Sequence, residues 1–583
     1  MSIPILHRRI LIPLILILGY SPQLWGLNLE VRVEGVAGEL ESNVLSYLQI
    51  YQEREDPKLL PSRVRYLHGE AETQIGQALQ PFGYFRPVVT GNLKEQKDGQ
   101  ESSWSASYVI DPGEPIRVAG VDYRLTGEGA SDTAFPKVLP LAQGDVLDQR
   151  LYEKGKAELL QRAAANGYLK SRLLASEIRI DLEAYEANVI VHFDTGPRYF
   201  MGKVSFDQDV LDPDFLQRYI KFEEGEPYDV NKVLRLQGNL YSSEYFKQVE
   251  ITPLMDKSED RRVPLRVAAT PSPLNKYRIG VGFATDFGPR VTLDWNRRRI
   301  GRRGHKAFAQ LLVSPGLKEL SGEYRIPLER PSSDYFSINP AFIDYDTESR
   351  KGQVFRVNFE HSVIKGSWRR NLGLDFRYED YEVSEDDDSV QEIVPNISWS
   401  RTITDQVIYT RHGKREKLSL LGAVEGLVSS ATYLQGHLSG KWIRSFGEDY
   451  RFLYRGELGA TFADDVLDLA ASRRFFAGGD NSIRGYGLDE LGPQNALGEV
   501  VGGRYLAIGS LELERRVKGK WSVALFVDGG NAYDPDYDNS LEFGAGIGVR
   551  WLSPLGQIRV DLASAVSQDG SPFRLHIVIG PDL

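Results

Sequence analysis

The sequence predicts a chain in two parts: tandem α+β modules of β-α-α-β-β order, then an all-β transmembrane barrel of sixteen antiparallel strands. Three observations carry this prediction. The C-terminal half alternates apolar with small or polar residues at period two, in segments of about ten residues split by turn residues. The N-terminal half repeats itself: Gly83-Tyr84-Phe85 is echoed by Gly167-Tyr168-Leu169, and Asp111-Pro112-Gly113 by Asp194-Thr195-Gly196. A missed repeat mis-reads a fold, so this period of about 80 residues is taken as duplicated units. The chain also opens on a basic flank and a short apolar run.

That opening is His7-Arg8-Arg9, then Ile10 to Leu18 interrupted by Pro13, then a small and polar exit from Gly19 to Gly26. Basic flank, short apolar stretch and cleavage region are the layout of a secretory signal, expected over residues 1–26. The run is about half of the ~20 residues that a spanning helix needs. No other stretch approaches a membrane helix, so any crossing is expected by a barrel.

Composition agrees. Of 583 residues 41% are apolar and 26% charged, which excludes a bundle of membrane helices. Cysteine is absent, which excludes disulfides, thiolate metal sites and a cysteine nucleophile. A net charge of −11 gives no support to a nucleic-acid partner. The eight histidines are scattered and no nucleophile-base pair emerges, so a non-enzymatic protein without cofactor or metal is expected.

Three modules are expected, at residues 27–113, 114–197 and 198–271. In the second, Ile116–Leu125 is a strand and Asp148–Asn166 has helical character, stopped by Asn166-Gly167. Ile178–Ile180 and Val189–Phe193 then alternate as strands. The third copy is weaker, with Glu244-Tyr245-Phe246 where the others have Gly-Tyr. Its helices are expected at Pro213–Phe222, capped by Asp212, and at Val230–Tyr241.

The barrel is expected over residues 272–583. Tyr277, Ile279, Val281 and Phe283 alternate with Arg278, Gly280, Gly282 and Ala284; Ile558, Val560 and Leu562 alternate with Arg559 and Asp561. Residues 274–583, shared among sixteen strands, give about 19 per strand and connection. Counting alone also admits fourteen or eighteen. The acidic run Ser384–Asp388 reads as a solvated loop and Asp534–Asp538 as a hairpin turn, since the spacing of a calcium loop is missing.

One connection is long and dense in glycine and charge. It holds Arg473-Arg474-Phe475-Phe476-Ala477-Gly478-Gly479-Asp480-Asn481-Ser482-Ile483-Arg484-Gly485-Tyr486. Loops of this length are uncommon unless functional. On the strands after it, Ser510, Glu512 and Glu514 share one face, and Ser522, Phe526 and Asp528 share another. Ile483, Arg484, Gly485 and Tyr486 resemble the (V/I)-R-G-(F/Y) signature of the BamA/TamA outer-membrane assembly-factor superfamily. Phe526-Val527-Asp528-Gly529-Gly530 and Ser510-Leu511-Glu512 resemble its strand motifs, and the tandem modules resemble POTRA domains. The resemblance implies that the loop folds into the lumen and that Arg484 meets Glu512 and Asp528 there. Arginine suits this, because its planar fork binds two acceptors at once. In a wet lumen such a contact is expected to order the loop more than to stabilise the fold.

Three modules and this barrel look most like the TamA branch. That likeness implies a cell outer-membrane protein of a Gram-negative bacterium with its POTRA domains in the periplasm. Its partners would be the lipid bilayer, a large inner-membrane-anchored periplasmic (TamB-like) protein, and unfolded β-barrel or autotransporter clients. Client strands would add to sheet edges. The barrel would open at a lateral seam marked by Gly280, Gly282, Phe573, Gly580 and Pro581. The alternative is a two-partner secretion transporter that exports a large exoprotein. Basic turn residues such as Arg297–Arg299 and Arg302-Arg303 are expected to face lipid head groups or periplasmic partners.

Overall fold

The computed structural model describes residues 28–98, 101–406, 408–426, 428–537, 540–554 and 556–580. The expected leader, residues 1–26, and the seam residue Pro581 lie outside the described residues. The chain forms two compact bodies: one holds the first two modules, the other most of the third module with the barrel.

Each module is a three-stranded sheet. The strands are β1 (Asn28–Glu34), β2 (Val88–Asp98) and β3 (Glu101–Asp111); β4 (Arg117–Thr126), β5 (Arg172–Asp181) and β6 (Glu186–Asp194); and β7 (Phe200–Asp207), β8 (Phe246–Pro253) and β9 (Arg262–Pro271). The orders are β1-β3-β2, β4-β6-β5 and β7-β9-β8, so the first and second strands of every module are edges. β1 runs parallel to β3, and β4 to β6, which requires a crossover between them.

The crossovers are helical: α1 (Glu39–Tyr47), α2 (Gln49–Gln52) and α3 (Pro61–Leu79) in the first module, α4 (Gln149–Ala165) in the second, α5 (Pro213–Gln217) and α6 (Val230–Ser242) in the third. α3 starts on Pro61, where the missing N–H costs nothing. Its Val64, Leu67, Ala71, Ile75 and Ala78 recur at helical spacing and bury against Trp104, Tyr108 and Ile110. α4 is capped by Asp148, whose carboxylate accepts the Arg150 amide at 2.9 Å.

Two expectations change. The second module has one α-helix, not two. Gly127, Gly129, Pro136 and Pro140 interrupt the first segment, leaving only a short turn at Glu128–Ser131. Asp212 makes no capping bond to α5. Its carboxylate accepts from Arg302 Nε of a barrel hairpin at 2.9 Å, and its amide donates to the Arg302 carbonyl at 2.9 Å. Arg302, although exposed, thus ties the third module to the barrel.

The repeated Gly-Tyr has a structural origin. Gly83 and Gly167 adopt φ of +90° and +89°, the left-handed region that closes a helix without a Cβ penalty. A Cβ would sit 2.7 Å from the Leu147 carbonyl oxygen at Gly83, and 2.7 Å from that of Tyr199 at Gly167. The motif is therefore the joint at which one module abuts the next. In the third copy Glu244 occupies the left-handed position, with φ of +59°, and lies 3.5 Å from Lys276 of the first barrel strand.

Sixteen strands close into an antiparallel barrel, from Asn275–Ala284 to Phe573–Gly580. Tyr277, Ile279, Val281, Val291 and Leu293 face out, as do Trp521, Val523, Leu525 and Val527. Near the module end Trp521 stacks on Trp551 at 5.9 Å, and Phe446 meets Phe452 edge-on at 5.3 Å, the aromatic banding expected of a membrane interface. The connection between the eleventh strand (Tyr450–Phe462) and the twelfth (Tyr505–Lys518) runs over residues 463–504. The acidic run is not a free loop. Asp386 already belongs to the eighth strand and pairs with Arg474, and Ser384 Oγ donates to Glu499 Oε2 at 2.6 Å.

Candidate functional site

The long connection folds inward and is buried along much of its length. Ile483 and Tyr486 pack with Ala477, Leu506, Ile508, Ala532 and Ala565 in an apolar cluster inside the barrel. The turn needs glycine. Gly485 has φ of +105°, and a Cβ there would lie 2.8 Å from the backbone of Ser564 and Ala565. On the facing strand, a Cβ at Gly544 would sit 1.8 Å from the Arg484 carbonyl oxygen.

Arg484 is brought together with both carboxylates that the motif implied. Its Nε and Nη2 donate to Asp528 Oδ2 and Oδ1 at 2.8 and 3.0 Å, and its Nη1 donates to Glu512 Oε2 at 2.7 Å. The Arg484 amide also donates to Asp528 Oδ2 at 3.0 Å. The alternation that faces Glu512 and Asp528 inward is the one read from the sequence.

The sequence did not reveal the rest of this network. Nη1 of Arg484 reaches Asp561 Oδ2 at 3.2 Å, and the guanidinium lies over the Phe526 ring at 3.4 Å from its centroid. Arg550 crosses from the fourteenth strand to Glu512 at 2.6 Å and to Asp561. The parity of Asp561 was legible; its partnership was not, because strand order brings it within reach of the loop. The site is also drier than expected: Arg484 is 6% exposed and Asp528 0%. At this degree of desolvation, removing one partner would leave a buried charge uncompensated, which is costly.

Other arginines extend the anchoring. Arg473 meets Glu392 at 3.2 Å, and Arg504 grips Asp534 with Nε and Nη2, each at 2.8 Å. Asp534, read as part of a simple hairpin, is thus a second loop anchor.

The barrel closes at a thin place. Among the described residues, the first and last strands share one ladder pair, Ala284 with Val578. The Thr285 amide adds a bond to the Ile577 carbonyl at 3.1 Å, and the Ile577 amide donates to Thr285 Oγ1 at 2.7 Å. Every other neighbouring pair is laddered over at least eight residues. Register explains this. With Ala284 opposite Val578, Gly580 stands opposite Gly282, and Asn275–Val281 face no described residue of the last strand.

The residues expected to mark the seam divide accordingly. Gly280 and Gly282 are laddered to Thr292 and Arg290 of the second strand, and Phe573 and Gly580 to Ser564 and Gln557 of the fifteenth. Gly280 and Gly282 are paired within the ladder to the second strand. They clear space: a Cβ at Gly280 would lie 2.4 Å from Thr292 Oγ1, and one at Gly282 2.8 Å from Arg290 Nε.

A closed sixteen-stranded barrel, an inward loop carrying Ile-Arg-Gly-Tyr and tandem α+β modules define a class of outer-membrane barrel proteins. Residues 330–582 match the Omp85 superfamily domain. Residues 30–112 match the POTRA domain TamA domain 1.

Among curated proteins, the outer membrane protein assembly factor BamA of Nitratidesulfovibrio vulgaris is 24% identical over 372 residues, 59% of this chain and 45% of that protein. BamA of Neisseria meningitidis serogroup B is 20% identical over 500 residues, 73% of this chain and 62% of that protein. The chain thus spans about half the length of these relatives. The crystal structure of BamA from Haemophilus ducreyi lacking POTRA domains 1–3 shares the fold. Its TM-score is 0.68 at 15% identity, covering 80% of this chain and 100% of that one.

Proposed function

We propose that this protein is a non-enzymatic outer-membrane insertase or translocase of the TamA type, which helps autotransporters and other β-barrel clients to assemble. The observation that carries the reading is the seam. Among the described residues, one ladder pair closes a barrel whose other junctions are laddered over eight residues or more. Backbone hydrogen bonds are what keep a barrel free of edges in lipid. A junction with so few of them is the one that parts at least cost, and it presents two edges to an incoming strand.

The modules supply further edges. β2 and β5 are outer strands of their sheets, suited to hold a client by strand addition. The modules would lie in the periplasm, where a large inner-membrane-anchored partner of the TamB type would deliver or energise the client.

The absence of cysteine makes the test direct. Ala284→Cys with Val578→Cys places a pair at the ladder position, within the Cα spacing that a disulfide accepts. In vesicles supplied with an unfolded autotransporter, oxidation should abolish client folding and reduction should restore it. Equal folding in both states would refute the seam as the route. A deletion strain that assembles its autotransporters normally but loses one large secreted protein would favour two-partner export instead.

A further inference from the structure

Asp480 of the lumen loop touches both lips of the seam. Its Oδ1 accepts from Nδ1 of His576, on the last strand, at 2.6 Å. Its amide donates to Oδ2 of Asp286 at 2.7 Å, and the Asp286 amide donates back to Asp480 Oδ2 at 3.2 Å. Asp286 sits in the hairpin that joins the first two strands, at the end of the barrel away from the third module.

Five residues along, the Gly485 amide donates to His576 Nε2 at 2.9 Å. An amide N–H only donates, so Nε2 is the acceptor, and the ring proton is assigned to Nδ1, facing Asp480. The side chains of His576 and Asp480 are 1% and 0% exposed, so water does not compete for these bonds.

The bonds are unequally shared between the lips. Toward the last strand the loop holds His576 twice, and Arg484 ties it to Asp561, Asp528 and Glu512 on the fifteenth, thirteenth and twelfth strands. Toward the first strand it holds through the Asp286–Asp480 exchange. Asp286 Oδ1 is buried there without a hydrogen-bond partner, beside a second carboxylate. At the seam the loop is therefore built into one lip and clipped to the other, while Arg473, Arg474 and Asp489 tie it to the wall between the fifth and eighth strands.

We infer that Asp480 is a latch: the lumen loop holds the seam closed, travels with the last strand, and releases the first strand at Asp286. Among the described residues the strands supply one ladder pair and the Thr285–Ile577 contacts, so the latch bonds are a large share of the contacts described across the seam. Its use in client entry rests on the proposed function; its existence does not.

Hydrogen exchange on the full-length protein in detergent, without client, separates the two. In Asp286→Ala, the Thr285 and Ile577 amides should exchange about ten- to a hundredfold faster, as expected for lost charge-assisted bonds, while the twelfth and thirteenth strands stay protected. Heat-modifiable gel migration would establish that the variant is folded. Asp286→Asn keeps a carbonyl acceptor and removes the charge beside Asp480; it should slow exchange at the same amides. Unchanged exchange at the seam in Asp286→Ala, or equal acceleration in all strands, would overturn the latch. Faster exchange in Asp286→Asn would overturn it too.

Discussion

Replacing Arg484 with alanine tests the lumen network most sharply. The substitution removes two N–H bonds to Asp528, one to Glu512, one to Asp561 and the stacking on Phe526. Glu512 and Asp561 keep Arg550. Asp528, fully buried, keeps the backbone amide of residue 484 at 3.0 Å, the Ser510 hydroxyl at 2.5 Å and Arg455 at 4.0 Å. Leaving a buried carboxylate without its partner costs about 3–5 kcal/mol. The remaining Arg455 argues for the lower end, about 3 kcal/mol, or roughly 150-fold in the docking equilibrium of the loop. Trypsin reads this directly, because Arg473 and Arg474 on the same loop are 7% and 4% exposed. Cleavage at them should accelerate by about two orders of magnitude in the folded variant. Arg484→Lys, with a point charge and no planar fork, should fall between. Arg484→Ala combined with Asp528→Ala should recover part of the loss, since no buried charge is then stranded. Cleavage in Arg484→Ala within threefold of the native rate would refute the argument.

Gly544→Ala drives a methyl into the Arg484 carbonyl and should loosen the same loop in the same assay, whereas Gly509→Ala, with open space around it, should not. Burial and the neighbouring Asp480 push the Asp286 carboxyl up to about 6, against the pull of His576 and Arg574. A carboxyl raised on folding contributes stability that is full below about 4 and lost as pH rises through about 6, so seam amides should show higher protection factors, after correction for the intrinsic pH dependence of exchange, at pH 5 than at pH 7.5. Glu244→Gly should relieve about 1 kcal/mol of left-handed strain, read as a higher urea midpoint; no gain would show that the exposed Lys276 contact outweighs it. Thr195→Val strands the Gly129 amide, which the hydroxyl now accepts at 2.9 Å, and should cost about 1–3 kcal/mol in thermal unfolding.

The sequence made the barrel legible because period two is a direct record of which side chain faces lipid. Tyr277, Ile279 and Val281 are 67–75% exposed on the outer face. It made Arg484, Glu512 and Asp528 legible because a turn motif and strand parity both point inward. Register between distant strands was not legible. Nothing in Gly280 or Gly282 says that their neighbour is Arg290, or that the last strand overlaps the first only near Ala284. The latch was hidden for the same reason: Asp286, Asp480 and His576 lie up to 290 residues apart, and each is unremarkable alone. Local chemistry also misled at Asp212, which has the residue type and position of a cap but bonds Arg302 instead.

The fastening of the third module has a mechanical consequence. Asp212 grips Arg302, the Tyr245 hydroxyl donates to the Gly304 carbonyl, Lys306 donates to the Ser243 carbonyl at 2.6 Å, and Glu244 faces Lys276. These attachments land on the first and third strands and on the hairpin that joins the second strand to the third. Glycine at 304 lets the Phe215 ring seat flush on that hairpin, where a Cβ would be 2.2 Å from it. The module is thus a handle bolted to one lip of the seam, while the lumen loop is bolted to the other. A tug on the handle is a torque on the first strand, applied at the end of the barrel opposite Asp286. The barrel wall acts as the lever arm that carries it to the clip.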